Sequence, residues 1–197
     1  MTTFKIGCDP DNFPYTYLES GEWKGFEIEY VRKLFAVADI SIEYVKIPWA
    51  DFFASLRSGV VDAIFSSISA TTEREREFVF SKPYFDSPEV LVARPNISIS
   101  DVLSGRVEIG ALQNSNHEKY IRERMPDARP VLAETMSSLI SLMQSKQVGC
   151  VLMEMNAARY CFPDDLGYPR LGDGIVDREI FGYGSAFAVR SKFFLVN

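Results

Sequence analysis

The 197-residue chain carries 21 Lys and Arg against 27 Asp and Glu, a net charge of −6, and 47% of it is hydrophobic. That is apolar content for one or two cores, and the acidic balance, with no Lys/Arg cluster, excludes nucleic acid as a partner, because phosphate binding needs a basic face. No run of about 18 apolar residues is present to span a membrane, and the N-terminus has no basic region followed by an apolar stretch, the form expected of a cytosolic protein or of a mature chain whose signal peptide was removed.

Phe4-Lys5-Ile6-Gly7-Cys8 alternates as a first strand and ends in the turn-forming loop Asp9-Pro10-Asp11-Asn12-Phe13-Pro14-Tyr15. From Phe26, the apolar residues Phe26, Tyr30, Val31, Leu34, Phe35 and Ala38 recur at three- and four-residue spacing, which predicts an amphipathic helix. A strand over 40–47, a helix over 49–56 stopped by Ser58-Gly59, and a short buried strand over 60–65 complete a β-α-β-α-β series. No Gly-rich phosphate fingerprint lies in it, so no nucleotide site and no cofactor is assigned. After the apolar run Val90-Leu91-Val92-Ala93, Arg94-Pro95-Asn96 reads as a boundary. The second part repeats the rhythm, with strands at 107–111, 131–132 and 150–153 and helices at 117–124, 137–143 and 155–161. The segment 162–174, rich in Pro, Gly and Asp, reads as a loop, and 184–189 as one more strand.

Cys8, Cys150 and Cys161 have no metal-ligand spacing and read as free buried thiols. The single histidine, His117, removes His-rich zinc sites and a histidine-based triad, and is expected at the surface where a helix starts.

The stretch 66–80, SSISATTEREREFVF, carries the chemistry. Its hydroxyls fall just past the carboxyl end of a strand, where open α/β sheets place ligands. Thr71 or Thr72 can cap a helix whose first turns hold Glu73, Arg74, Glu75 and Arg76. An arginine beside small hydroxyl residues suits a carboxylate, which a guanidinium meets with two parallel hydrogen bonds. The same charge run also fits a solvated helix face.

Taken in order, several short motifs resemble the family-3 extracellular solute-binding proteins, the type-2 periplasmic binding fold that serves polar amino acid uptake by ABC transporters. They are Ile6-Gly7-Cys8-Asp9 with Pro14-Tyr15, Gly25-Phe26-Glu27, Trp49 ahead of Leu56-x-Ser58-Gly59-x-x-Asp62, Ser67-x-Ser69-x-Thr71-x-Glu73-Arg74, Phe80-Ser81-x-Pro83-Tyr84, and Val107-x-Ile109-Gly110 with Gln113. The resemblance implies an α/β fold of two lobes, each a mostly parallel sheet flanked by helices: 1–93 with 184–197 as lobe 1, 94–183 as lobe 2, and a ligand cleft between them. It also implies final helices of lobe 1 that this sequence lacks, and a non-enzymatic periplasmic or extracellular receptor that hands an amino acid to a membrane permease. Carried over to this sequence, Arg74 holds the ligand α-carboxylate with Ser69 and, from the second lobe, Ser115 and Asn116. Ser67 and Glu154 receive the α-ammonium, Tyr15 or Asn12 and Trp49 wall the side chain, and Asp9 lies at its distal end. The family usually has Asp where Glu154 stands, and Gly-Ser or Gly-Thr where Asn114-Ser115 stands.

Two other functions fit the same residues. One is a ligand-sensing domain of a signalling protein. The other is an enzyme resembling cyclohexadienyl dehydratases, with Glu154 as general acid. Asp9 and the acidic composition favour a polar or cationic ligand, while Trp49 and Tyr15 can stack on planar or aliphatic groups equally.

Overall fold

The computed structural model describes residues 3–190. In chain order, the first part forms β1 (Phe4–Cys8), β2 (Asp11–Asn12), β3 (Thr16–Glu19), β4 (Glu22–Lys24), α1 (Phe26–Val37), β5 (Ile42–Lys46), α2 (Phe52–Ser58), β6 (Ala63–Ile64), α3 (Thr72–Glu75) and β7 (Phe78–Phe80). There follow β8 (Glu89–Ala93), α4 (Ile99–Leu103), β9 (Glu108–Leu112), α5 (Asn116–Arg124), β10 (Arg129–Ala133), α6 (Met136–Gln144), β11 (Cys150–Glu154), α7 (Met155–Cys161), β12 (Arg170–Ile175), α8 (Arg178–Phe181) and β13 (Ala188–Arg190). Among the described residues, 3–86 with 182–190 make one compact unit, and Ser87–Phe181 make the other. Residues 191–197, assigned by sequence to the first lobe, lie outside the described residues.

The first unit is built on a five-stranded sheet of order β5-β1-β6-β13-β7. Its first three strands are parallel, and β13 runs antiparallel to both neighbours. Because successive strand residues face opposite sides, each strand feeds two cores. Ile6, Cys8, Ala63 and Val189 meet Ile28 and Val31 of α1. Ile64 and Ala188 meet Phe52 and Leu56 of α2. The small hairpin sheet β2-β3-β4 sits between β1 and α1 in the chain. Gly25 joins it to α1 at φ 117°, and a methyl group there would lie 2.2 Å from the Tyr15 carbonyl oxygen. Only glycine permits that approach, and it lets the Phe26 and Glu27 amides donate to the Pro14 and Tyr15 carbonyls.

The face that α1 buries differs from the one its spacing predicts. Glu27, Ile28 and Val31 point inward, whereas Phe26 and Leu34 are 50% and 40% exposed.

The second unit holds a five-stranded sheet of order β10-β9-β11-β8-β12, with β8 antiparallel to β11 and β12. Both sheets are therefore mixed rather than mostly parallel. The apolar run 89–93 belongs to this sheet, so the division falls near 86 and not at 93. β12 lies where a loop is expected over 162–174; a bulge between Leu171 and Ile175 interrupts its pairing with β8. Leu91, Ile109, Ala111, Ile121, Leu152 and Phe181 pack together on one side of the sheet. Cys8 and Cys150 are buried and free, as expected, whereas Cys161 is only partly buried. No helix among the described residues is long and apolar enough to cross a membrane.

Candidate functional site

The candidate residues fall into two groups, one in each unit. In the first, Arg74 lies in the short helix α3, whose N-terminus Thr71 caps by accepting the Arg74 amide at 3.3 Å. The Arg74 guanidinium donates to the Ser69 carbonyl at 3.0 Å and rests over the rings of Phe53 and Trp49, 4.9 and 5.8 Å from their centroids. Among the described residues it makes no ion pair with a carboxylate, and burial pulls its pKa down to about 10. A guanidinium has five donors. One carbonyl and two aromatic faces leave most of them available to an incoming anion, while holding the group in place.

Trp49 opens a short 3-10 turn before α2 and stacks edge-on against Phe52 and Phe53. The structure thus brings Trp49, Ser69 and Arg74 together, with Phe53, which the sequence did not single out, packed against both Trp49 and Arg74. Tyr15 is buried and stacked on Phe85, with centroids 5.1 Å apart. Asn12 donates its side-chain amide to the Ser66 carbonyl and hydroxyl at 3.0 and 3.2 Å, and Thr16 bonds the same hydroxyl. Asn12 therefore ties the loop after β1 to the segment after β6. Asp9 accepts the Asp11 amide at 2.9 Å, and burial raises its carboxyl to about 6. No cation among the described residues pairs with it.

Ser67 is held differently from the way its motif suggests. It adopts φ 56°, a left-handed conformation that costs a non-glycine residue about 1 kcal/mol. Its amide donates to both oxygens of Glu27, at 2.8 and 2.9 Å, and its hydroxyl pairs with Ser185 at 3.2 Å. Glu27 is fully buried and also receives the Tyr84 hydroxyl. Burial raises its pKa to about 7, against the opposing pull of the Tyr84 and Ser67 bonds. The signal for Glu27 was present in the Gly25-Phe26-Glu27 motif, but helical spacing placed it on the polar face.

In the second unit, Ser115 caps α5: its hydroxyl accepts the Glu118 amide at 3.3 Å and donates to the Leu112 carbonyl at 2.6 Å. Asn116 is the first residue of that helix and is partly buried. Glu154 caps α7, its two oxygens accepting the Asn156 and Ala157 amides at 2.8 and 3.0 Å. His117 is not a surface residue. Its ring nitrogen lies 2.6 Å from Glu89, with both side chains largely buried, and its ring packs on Phe181.

The sequence model of the bacterial extracellular solute-binding proteins, family 3, matches residues 4–149. The chain belongs to that family. Among its relatives, the histidine-binding periplasmic protein of Escherichia coli (strain K12) is 25% identical over 197 residues, a match covering 95% of this chain and 75% of that one. The Bacillus subtilis protein named "Probable amino-acid-binding protein YxeM" is 26% identical over 127 residues, 63% of this chain. That match spans 48% of the Bacillus protein's length, about half. Two solved structures share the fold. A Salmonella typhimurium periplasmic binding protein of high arginine specificity superposes with a TM-score of 0.89 at 19% identity, covering 97% of this chain and 86% of that one. An arginine transport periplasmic binding protein from Legionella pneumophila gives 0.88 at 21% identity, covering 99% and 89%. The fold is thus the α/β type-2 periplasmic binding fold.

Two positions at helix starts carry residues other than those usual in the family. Asn114 adopts φ 57°, the left-handed conformation that asparagine tolerates best after glycine, so the turn into α5 forms without Gly. Glu154 has the reach to bridge two helix amides.

Proposed function

We propose that this protein is a non-enzymatic receptor that captures an amino acid, preferentially one with a cationic side chain, and delivers it to an ABC transporter permease outside the cytoplasm. The observation that carries the reading is Arg74: a largely buried cation held by one carbonyl and two aromatic rings, with no direct ion pair to a carboxylate among the described residues and only the nearby charge of Glu73 acting on it. A zwitterion leaving water needs both of its charges met, and Arg74 is equipped to meet the α-carboxylate with Ser69 beside it. Ser115 and Asn116, at the start of α5, would add donors from the second unit. Glu154 and Ser67 would accept the α-ammonium. Tyr15, Trp49 and Phe53 would wall the side chain, and Asn12 would brace the loop that carries them.

Asp9 supports the cationic preference, since a partly buried carboxyl with no cation beside it among the described residues is stabilised in its charged form by a ligand that brings one. The relatives' names agree in kind, being those of histidine-binding and lysine/arginine/ornithine-binding proteins. For Glu154, the two helix amides it accepts favour a capping and binding role over a dehydratase's proton donor.

Thermal-shift screening of the twenty amino acids tests the reading, because a ligand that binds only the native state raises the melting point. Cationic amino acids are expected to stabilise the protein by several degrees, and Arg74→Ala to abolish the effect. The absence of any shift with a folded protein would overturn the proposal.

A further inference from the structure

We propose that Glu27 is a positioning residue for the ligand site: its ionised carboxylate clamps the Ser67 backbone in its left-handed turn, so that amino acid affinity depends on the charge of Glu27. The inference rests on the reading above, in which the stretch from Ser67 to Arg74 contacts the ligand. Both Glu27 oxygens take the single Ser67 amide, at 2.8 and 2.9 Å. A carboxylate is acceptor-only and can do this with both oxygens, whereas a protonated carboxyl turns one of them into a donor. Ser67 sits at φ 56°, a conformation that persists only where its surroundings enforce it. Two residues on, the Ser69 carbonyl holds the Arg74 guanidinium. A relaxed Ser67 would therefore shift the groups proposed to meet both ligand charges.

Among the described residues, the groups facing Glu27 include no cation to keep it ionised. Tyr84, from the segment after β7, donates its hydroxyl to it. Cys8 on β1 and Tyr30 on α1 are the other titratable neighbours of this cluster, and Asp9 acts on Cys8 from the β1 end. With burial the largest influence, Glu27 changes charge at about 7, so the clamp weakens within the neutral range.

Two measurements on the full chain test this. Affinity for L-arginine, or for whichever of the twenty amino acids gives the largest thermal shift, is measured from about pH 8 to about pH 6. In parallel, the ligand-free protein's Ser67 amide resonance is followed over the same range, which separates Glu27 from Asp9. Wild type is expected to bind about tenfold more weakly at the lower pH, with the Ser67 amide titrating in step. Glu27→Gln should bind weakly at every pH, with a Ser67 amide that no longer titrates. Tyr84→Phe removes a bond that lowers the Glu27 pKa, so it should move both midpoints upward; this keeps the idea testable even if the Gln variant misfolds. Wild-type affinity and an unchanged profile in Glu27→Gln, or unmoved midpoints in Tyr84→Phe, would overturn the clamp and leave the receptor reading standing. Failure of every amino acid to bind the wild type would overturn both.

Discussion

A carboxylate inside an apolar helix face must be accounted for at the level of its own proton. Glu27 has its pKa raised from an ordinary 4.5 to about 7, so between those values the folded chain holds a proton that the unfolded chain releases. The corresponding stability is present in full below about 4.5 and is lost as pH rises through about 7, an effect of roughly 3 kcal/mol. Asp9, raised to about 6 by burial, acts in the same direction. Denaturant unfolding between pH 5 and pH 8 should therefore show stability falling with pH, and Glu27→Gln should remove the larger share of that slope. An unaltered slope in the variant would show that Glu27 is not the group responsible. That Ser69 and Arg74 lie together was legible because both belong to one short motif in the segment after β6. Glu27 and Phe53 were not, because each acts across a gap in the chain: 40 residues separate Glu27 from Ser67.

At the scale of elements, the caps divide the labour between stability and binding. Glu154 holds the first turn of α7 with both oxygens, so Glu154→Ala should cost about 1 kcal/mol in an unfolding measurement. If the same carboxylate also receives the ligand ammonium, the variant loses affinity well beyond that amount. Equal stability in variant and wild type would mean the helix does not rely on this cap. Helices with clear polar and apolar spacing, such as α6, were read to within a residue of their ends. β12 escaped because Gly172 and Gly174, at φ 80° and 94°, make the strand's sequence read as a turn. The last strand was expected over 184–189, yet ladder pairing begins only at Ala188, and Ser185 makes isolated bridges to Ser69 and Phe85. His117 was misjudged for a similar reason: its partner Glu89 stands 28 residues earlier in the chain.

For the whole molecule, the alternation of strands and helices was enough to indicate two α/β units, while strand directions and boundaries depended on pairings distant in sequence. The second unit, Ser87–Phe181, is one continuous piece, and the first is assembled from two. A fragment spanning 87–181 should therefore unfold cooperatively on its own by circular dichroism, whereas a fragment ending at residue 86 should not. A cooperative transition in the shorter N-terminal fragment would contradict this.

The position of β13 between β6 and β7 has a bearing on how the protein is made. On the ribosome, β7 emerges before its neighbour exists, and the 95 residues of Ser87–Phe181 must be synthesised before β13 can arrive. Until then, β6 and β7 have exposed edges of the kind that template pairing with other chains. A nascent chain of this design has most need of a chaperone's cover after its second unit has folded and before β13 is in place.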